Sequence, residues 1–370
     1  MDKKRDNPST KVLFLGIGGS GQQIVAMMQK IYPLMTTALF DTDTQALQDH
    51  AEEKSVLLGP SITKGLSAGG DDELARQATE KSDGHIRSVI DGYDLIFLVA
   101  GLGGGTASGS VPVVARIAKQ MGIRLLVMVT RPFPFEGQRR EEIADKAIKR
   151  TRAHADTIIQ IPYHRLYVDS NPDEIEALEI FKRGQKLLVD AASMVWSICA
   201  HKAYCSLDYA SLQTLMRHCD GFCHFASAFA SGTHRANQAV DALMQHPLMK
   251  KGLIWENTAG ILLTISADSS LTLLEIESIM DALHQKMEEG AWINFGMRCD
   301  EPTEGITLSI LTTEAWSEPL VSAAAQRGQG TLGLEEIKRD TYFDAIEATV
   351  AQEEDLDIPT YHRKNIKLPR

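Results

Sequence analysis

Two apolar runs, each closed by a cluster of glycines, constrain the fold of this chain more than any other feature of its sequence. Residues 95–100 are apolar throughout, which is typical of a strand buried on both faces of a parallel sheet, and the glycine-rich residues 101–109 follow them. Residues 11–15 lead in the same way into the glycines of 16–21 and then into helical spacing over 22–31. This order of strand, glycine loop and helix predicts βαβ units in a parallel sheet.

Further strand signals at residues 37–40 and 125–129 extend the pattern over residues 11–165. We expect Pro112 in the first turn of a helix that ends at Gly122. The predicted fold class is α/β: a Rossmann-like, doubly wound domain, a long central helix, a smaller α+β domain and a disordered tail.

The second half of the chain has more helical than strand signals. The expected elements are a long central helix at 174–205, further helices to about Met244, a strand at 260–265, a helix at 274–287 and a strand at 306–311. A helix as long as the first of these can bridge two domains.

The last part of the chain changes character. Residues 314–357 hold 11 acidic and 3 basic side chains, a net charge of −8, and show little apolar periodicity, which favours a linker without a fixed fold. The expected segments are a flexible N-terminus at 1–10, a first domain at 11–173, the central helix at 174–205, an α+β domain at 206–313, a flexible linker at 314–354 and a partner-binding peptide at 355–370.

Charge and composition exclude several classes of function. The chain carries 38 Lys and Arg against 49 Asp and Glu, a net charge of −11, which argues against nucleic acid as the main partner. No apolar run approaches the roughly 18 to 20 residues that span a bilayer, so we expect a cytoplasmic protein without membrane insertion. The five cysteines are expected to be free thiols, and we expect no metal site built from protein ligands.

The first glycine loop leaves two ligands open. Residues 16–21 read G-x-G-x-x-G between a predicted strand and helix, where bare backbone N–H groups and a helix N-terminus bind phosphate. Asp41 and Asp43 follow about twenty residues later, where a dinucleotide site places its ribose-binding acid. A nicotinamide or flavin enzyme is therefore one interpretation.

The second glycine loop favours a nucleoside triphosphate. Residues 101–109 contain five glycines with Thr106 and Ser108, which makes a second anion cradle at the end of the neighbouring strand. One pyrophosphate does not require two cradles, whereas a triphosphate can occupy both. The alternative is that these glycines only permit tight turns. A Walker-type P-loop motif is absent from the sequence.

Several ordered motifs resemble the FtsZ family, the bacterial cell-division branch of the tubulin superfamily. Residues 103–109 resemble its GGGTGTG signature loop, with conservative departures at Ala107 and Ser108. Residues 41–47 resemble its second loop, 58–70 its loop beside the γ-phosphate, and 130–140 its ribose-binding loop. The similarity covers nearly the whole chain in the same order.

The resemblance implies a GTP- and GDP-binding domain at 11–173, with Mg²⁺ accompanying GTP. In particular, it implies that Thr130, Glu136 and Arg140 contact the sugar and the neighbouring phosphates. The full set of nucleotide contacts that it implies is Gly18, Gly19, Ser20, Gly21, Gln22, Asp43, Ala68, Gly69, Gly70, Gly101, Gly103, Gly104, Gly105, Thr106, Ala107, Ser108, Gly109, Thr130, Pro132, Glu136, Arg140, Tyr163, Phe181 and Lys186.

The loop that completes the site departs from the family pattern. In this family a loop after the central helix, usually N-x-D-x-x-D, completes the nucleotide site of the next subunit, and here it reads Ser206, Asp208 and Ser211 at those positions. Asp208 is the candidate catalytic residue. A serine hydroxyl can orient water but holds no negative charge, so GTP hydrolysis is expected to be slow. Asp208 has a second interpretation, as the N-cap of a helix that begins near Tyr209.

The base-binding residues depart as well. Tyr163 stands where the family has Asn, and Lys186 stands where an acidic residue is expected on the central helix, although the stacking aromatic remains as Phe181. A lysine can only donate hydrogen bonds, whereas a carboxylate accepts them from the N–H edge of guanine. Guanine preference is therefore the part of the resemblance with least support from the residues.

These observations give three hypotheses of function. The first is a GTP-binding protein that self-assembles head to tail into filaments at the division site, with residues 355–364 resembling the peptide that binds membrane tethers and regulators. The second is a regulatory, hydrolysis-poor paralogue that co-assembles with a catalytic FtsZ. The third is an NAD-dependent oxidoreductase, which leaves the second glycine loop unexplained.

Overall fold

The computed structural model describes residues 10–48, 54–167, 176–200, 207–219, 222–252, 255, 258, 260–287, 291–299, 304–313, 350–351 and 354–355. The chain divides into two units, residues 1–319 and 320–370. In the second unit, β11 (Val350–Ala351) pairs antiparallel with β12 (Glu354–Asp355). The rest of the predicted linker and partner-binding peptide, like the predicted flexible N-terminus before Thr10, lies outside the described residues.

The first half of the chain alternates strands and helices. Its elements are β1 (Val12–Ile17), α1 (Gly18–Ile31), β2 (Thr37–Asp41), α2 (Thr44–Gln48), β3 (Lys54–Leu57), α3 (Pro60–Thr63), α4 (Asp72–Lys81), α5 (Asp83–Ile90), β4 (Leu95–Gly101), α6 (Gly105–Gln120), β5 (Arg124–Arg131), α7 (Gln138–Arg152) and β6 (Thr157–Pro162). Strands β1 to β6 are parallel, in the order β3-β2-β1-β4-β5-β6.

The second half continues the same sheet. Its elements are α8 (Ala177–Ala200), α9 (Tyr209–His218), β7 (Phe222–Ala230), α10 (Arg235–Met244), β8 (Gly260–Ala267), α11 (Leu273–His284), β9 (Trp292–Arg298) and β10 (Ile306–Thr313). The order runs on as β7-β10-β8-β9, with β10 antiparallel to both of its neighbours. Among the described residues, two pairs join β6 to β7, so the parallel and the mixed parts of the sheet meet at a short contact.

Alternation of side chains explains why the central strands are apolar at every position. Phe14 and Phe97 belong to the core cluster on one face of the sheet, together with residues of α1 and α8. Leu15 and Leu98, their neighbours along β1 and β4, belong to the cluster on the other face, with residues of α6 and α7. Because successive strand residues point to opposite faces, a strand between two helical layers must be apolar throughout. This arrangement confirms the predicted α/β fold class with its parallel sheet core.

The structure departs from the sequence prediction at three places. Pro112 lies inside α6 and not in its first turn, because that helix begins at Gly105, within the glycine loop. The helical interpretation up to Met244 missed β7, whose sequence FCHFASAFA is rich in small residues with weak strand preference. Strand β7 forms through pairing with β10 over seven residue pairs, and such tertiary pairing outweighs local propensity. Strand β9, at the edge of the sheet, was also missed.

Among the described residues, no helix is both long enough and apolar enough to cross a membrane.

Candidate functional site

A cavity of about 660 Å³ lies at the carboxyl ends of the central parallel strands. The register brings these ends side by side: Ile17 of β1 pairs with Ala100 of β4, Gly101 pairs with Thr130 of β5, and Arg131 pairs with Pro162 of β6. The carboxyl edge of a parallel sheet is where ligands of open α/β folds bind. Both predicted glycine loops open onto this edge, so one ligand can contact both.

A larger cavity, of about 790 Å³, lies at the opposite edge of the sheet. Its lining includes Lys11, Val12, Tyr93 and Trp196, which belong to the amino-terminal side of β1 and β4 and to α8. Neither glycine loop contributes to it. The smaller cavity, which holds both loops, is therefore the candidate site.

The first glycine loop contains glycines of two kinds. Gly19 lines the cavity together with Ser20, and a Cβ atom added to Gly19 would meet no atom within 4 Å. By contrast, a Cβ on Gly21 would lie 2.4 Å from the carbonyl oxygen of Val99, so Gly21 is required for close packing of α1 on β4. The N-terminus of α1 therefore has open backbone facing the cavity, where its dipole favours an anion.

The second glycine loop divides in the same way. Gly104 is the N-cap of α6, lines the cavity and has no neighbour within 4 Å of a Cβ position. A Cβ on Gly109 would lie 2.2 Å from the carbonyl oxygen of Asp72, so Gly109 brings α6 against α4. Ser108 is buried, and its hydroxyl accepts a 2.9 Å hydrogen bond from the N–H of Gly103. Ser108 therefore stabilises the loop from inside.

Asp41, the acidic residue of the dinucleotide interpretation, is buried and hydrogen-bonded within the protein. Asp41 is 4% exposed, and its carboxylate accepts hydrogen bonds from Gln22 Nε2 at 2.5 Å, the N–H of Thr42 at 2.7 Å and that of Asp43 at 3.1 Å. Burial raises the pKa of the Asp41 carboxyl above its ordinary value, and the backbone donors oppose that shift. Asp41 is also absent from the cavity lining, so the structure gives no support to Asp41 as a ribose-binding acid.

The loop before α4 reaches the cavity through Ser67 and Gly70. Ser67, Gly69 and Gly70 all have positive φ angles, and Cβ atoms on the two glycines would meet nothing within 4 Å. Asp71 ends the loop as N-cap of α4, where its side chain accepts hydrogen bonds from the N–H groups of Glu73 and Leu74. This loop adds a third stretch of open backbone to the site.

The end of β5 and the segment after it form one side of the cavity and supply charged groups there. Thr130, Pro132, Glu136 and Arg140 all line it. Glu136 accepts a 2.8 Å hydrogen bond from the N–H of Phe133 and forms an ion pair with Arg140 one helical turn later. The pair holds the Arg140 guanidinium at the cavity wall, where it can donate to an anionic ligand.

Aromatic side chains form the other side of the cavity. Tyr163 stacks on Phe133 with ring centroids 5.2 Å apart, and the Phe181 ring meets both edge-on. A Cβ on Gly184 of α8 would lie 2.0 Å from the Tyr163 ring, so this glycine makes room for the tyrosine. Burial raises the pKa of the Tyr163 hydroxyl. Phe181 is 41% exposed, which leaves ring surface for stacking by a planar ligand.

Of the two adjacent α8 residues Gln185 and Lys186, only Gln185 lines the cavity. The Lys186 amine lies 2.9 Å from the Asp190 carboxylate, its side chain is 67% exposed, and it is outside the cavity lining. Gln185 lines the cavity and donates a 3.2 Å hydrogen bond to Gln23 Oε1 of α1. An amide both donates and accepts, so it can pair with the polar edge of a base. Helical spacing from Phe181 to Gln185 would have predicted this residue.

The structure brings many of the predicted site residues to one cavity and leaves others outside its lining. Those that line it are Gly19, Ser20, Gly70, Gly101, Gly104, Gly105, Thr106, Ala107, Thr130, Pro132, Glu136, Arg140, Tyr163 and Phe181. Those outside the lining are Gly18, Gly21, Gln22, Asp43, Ala68, Gly69, Gly103, Ser108, Gly109 and Lys186. Lining residues outside the predicted set are Gln23, Ile24, Ser67, Leu102, Arg131, Phe135, Gln185 and Leu188, of which Ser67, Leu102, Arg131 and Phe135 lie within the predicted loops.

Comparison with known proteins identifies the family. The Tubulin/FtsZ family GTPase domain matches residues 11–171, and the FtsZ family C-terminal domain matches residues 221–315. The cell division protein FtsZ of Coxiella burnetii is 30% identical over 97% of this chain and 96% of its own length. The chain belongs to the FtsZ family. FtsZ of Pseudomonas aeruginosa is 33% identical over 77% of this chain and 72% of its own length.

A solved structure of an FtsZ dimer from M. jannaschii has the same fold. It superposes with a TM-score of 0.76 at 25% identity and covers 90% of this chain and 96% of that one. Membership of this family of cell-division GTPases implies guanine nucleotide binding. Both the family of the chain and the burial of Asp41 therefore argue against a dinucleotide-dependent oxidoreductase.

Asp208, the candidate catalytic residue of the FtsZ loop, lies at the start of α9. Its carboxylate Oδ1 accepts hydrogen bonds from the N–H of Ser211 at 2.8 Å and from the Ser211 hydroxyl at 2.7 Å, so it is the N-cap of that helix. These two hydrogen bonds lower the pKa of the Asp208 carboxyl below its ordinary value. The side chain is exposed and ionised at neutral pH. Ser206, the first residue of the altered loop, lies outside the described residues.

Proposed function

We propose that this FtsZ-family protein binds one guanine nucleotide in the cavity at the carboxyl ends of β1, β4, β5 and β6, and assembles head to tail into filaments in cell division. The observation that carries the proposal is the convergence of two open glycine backbones, at Gly19 and Gly104, on that one cavity. The loop containing Gly70 adds a third. Backbone N–H groups at helix N-termini bind phosphate without a side chain in between.

Each part of the nucleotide has a counterpart in the cavity. The N-termini of α1 and α6 would bind the phosphates, with Thr106 at the start of α6. Arg140, held by Glu136, would contact the sugar and neighbouring phosphates. Phe181 would stack on the base, with Gln185 at its polar edge.

Mg²⁺ is part of the proposal as a companion of GTP. The described residues contain no group of three or more His, Cys, Asp or Glu side chains that could hold a metal ion. Mg²⁺ in nucleotide sites keeps several waters and takes phosphate oxygens as ligands, with one or two protein groups. In this site Mg²⁺ would therefore be held mainly by phosphate oxygens of GTP and by water.

Hydrolysis would be completed by Asp208 of a neighbouring subunit. Its carboxylate oxygen Oδ2 has no hydrogen-bond partner among the described residues, so it can accept a hydrogen bond from water. The residue at the position of the second acid, Ser211, is neutral. Losing a group that stabilises charge in the transition state costs about 100-fold or more in rate, so turnover of GTP would be slow.

Sedimentation tests this function directly. Purified protein should pellet with GTP and Mg²⁺, remain in the supernatant without nucleotide, and show polymers by electron microscopy. Absence of nucleotide-dependent assembly at every protein concentration, alone and mixed with a catalytic FtsZ, would refute the proposal.

A second candidate is a regulatory paralogue that binds nucleotide and co-assembles with a catalytic FtsZ. The observation in its favour is that the Ser211 hydroxyl is already bonded to Asp208 and supplies no charge. Under this hypothesis the purified chain hydrolyses GTP slowly, and Ser211→Asp raises turnover without a change in nucleotide affinity. GTPase activity of the unmodified chain comparable to that of a catalytic FtsZ would exclude it.

Residues 355–364 would connect such filaments to membrane tethers or regulatory division proteins, which gives a cytoplasmic location at the division site. Deleting 355–370 should abolish binding to such a partner and leave nucleotide-dependent pelleting intact. Loss of pelleting on deletion would assign these residues to assembly instead.

A further inference from the structure

A short chain of hydrogen bonds ties the candidate catalytic loop to the edge strand of the sheet. Asn294 Nδ2, on β9, lies 2.7 Å from the Ser211 hydroxyl, which in turn lies 2.7 Å from Asp208 Oδ1. Asn294 and Ser211 are 83 residues apart in sequence, so the contact is a product of the fold. Trp292 lies on the same face of β9, by strand alternation, and packs against the core cluster that contains Leu212 and Leu215 of α9.

The protonation states fix the direction of these hydrogen bonds. The Asp208 carboxylate is ionised at neutral pH and can only accept, so the Ser211 hydroxyl proton points to Asp208. The serine oxygen is then an acceptor, and the Asn294 amide nitrogen is its donor. With its proton and a lone pair both engaged, the Ser211 hydroxyl has a single rotamer. Without Asn294, the hydrogen bond to Asp208 alone would hold that hydroxyl, and the serine oxygen would lose its protein donor.

We propose that Asn294 is a positioning residue of the hydrolysis loop, which holds the Asp208 carboxylate in place through Ser211. This inference rests on the proposed function, in which Asp208 faces the nucleotide of the next subunit. With Oδ1 fixed by the Ser211 N–H and hydroxyl, Oδ2 keeps one orientation and can accept from the attacking water. Asn294 thus fixes the Ser211 hydroxyl, which then holds the Asp208 carboxylate in place. Ser211 itself is neutral and does not replace the second acid of the family's loop.

The test compares a near-isosteric variant with a matched control. Asn294→Leu removes the donor while keeping the approximate size of the side chain. It should lower kcat for GTP about tenfold, the effect of losing one hydrogen bond in a network that ends on a charged group. The Kd for GTP and the critical concentration for assembly should stay within about twofold, because neither nucleotide contacts nor backbone change.

The control is Asn237→Leu. It breaks another asparagine–serine hydrogen bond, in which the Ser278 hydroxyl donates to Asn237 Oδ1 at 2.6 Å between α10 and α11. It should leave kcat unchanged. An equal loss of kcat in this control would show that the effect of Asn294 is a general loss of stability, and would overturn the proposal.

A double-mutant cycle tests the route through Ser211. If Asn294 acts only through that hydroxyl, Ser211→Ala and Asn294→Leu should each lower kcat to a similar level, and the double variant should match the single ones within about twofold. Additive losses, or an unchanged kcat in Asn294→Leu, would overturn the proposal.

A measurement without turnover separates this inference from the proposed function. If the unmodified chain hydrolyses no GTP, alone or with a catalytic FtsZ, the proposed role of Asp208 in hydrolysis is refuted. The positioning of Asp208 by Asn294 and Ser211 can still be observed in crystals. Crystals of the unmodified protein should show the Ser211 hydroxyl on Asp208, and crystals of Asn294→Leu should show it turned away. The same hydroxyl position in both would overturn the inference.

Discussion

The second glycine loop offers a matched pair of substitutions, Gly104→Ala and Gly109→Ala, which add the same methyl group to the same loop. Gly104 has φ −91° and ψ 171°, which any residue can adopt, and its Cβ position has no neighbour within 4 Å. At Gly109 the new Cβ would lie 2.2 Å from the Asp72 carbonyl oxygen and 2.7 Å from the Ala75 Cβ. The first methyl therefore enters the cavity, whereas the second forces α4 and α6 apart.

The expected magnitudes differ accordingly. Overpacking against a rigid backbone costs about 3 kcal/mol, at the upper end of the usual range, and lowers Tm by about 6–12 °C in a domain of 150–250 residues. Gly104→Ala should change the free energy of unfolding of the nucleotide-free protein by less than about 0.5 kcal/mol. It should weaken GTP binding by at least about tenfold, or 1.4 kcal/mol, since the methyl keeps a phosphate from the backbone.

The assay measures the thermal stability and the GTP affinity of both variants. Thermal unfolding is followed by circular dichroism after nucleotide has been removed, and the Kd for GTP is measured by calorimetry. Gly104→Ala that binds GTP as tightly as the unmodified protein would refute phosphate binding by this loop. Gly109→Ala that is fully stable would refute the close packing of α6 on α4.

Three further changes test other parts of the structure. Gly184→Ala should displace the Tyr163 ring, whose edge lies 2.0 Å from the new Cβ, and weaken both stability and GTP binding; adding Tyr163→Ala should restore part of the stability. Burial lowers the pKa of His246 to about 4, below its ordinary value, so at this residue only the unfolded chain gains a proton between pH 7 and 5, which lowers the free energy of unfolding by about 2 kcal/mol; the fall measured in urea over this pH range should be smaller by about that amount in His246→Gln, and an equal fall in both proteins would refute the assignment. Asp208→Ala should cost about 1 kcal/mol as a lost N-cap and lower kcat more than GTP affinity; equal losses in kcat and affinity would leave Asp208 only its capping role.

The central parallel sheet and the position of the site could be predicted from sequence. Residues 95–100 had to be a strand buried on both faces, and glycines after it and after β1 had to meet at the carboxyl edge. The separate functions of those glycines could not be predicted. Gly104 and Gly109 look equivalent in sequence, and only the position of α4 shows that one faces a cavity and the other a helix.

Long-range pairing accounts for what the sequence did not predict. Strand β7 lies between β6 and β10 despite its small side chains, because its partners satisfy its backbone. Asn294 had no signal at all, since its contact with Ser211 depends on how β9 packs near α9. Gln185 could have been found as a lining residue by helical spacing from Phe181, because that spacing places Gln185, and not Lys186, on the side of α8 that faces the cavity.

Calorimetric titration of the nucleotide-free protein with GTP tests most directly whether the glycine backbones bind one nucleotide together. We expect saturable binding of one GTP per chain, competed by GDP and weakened by Gly104→Ala. Absence of saturable binding, or two independent sites per chain, would contradict it.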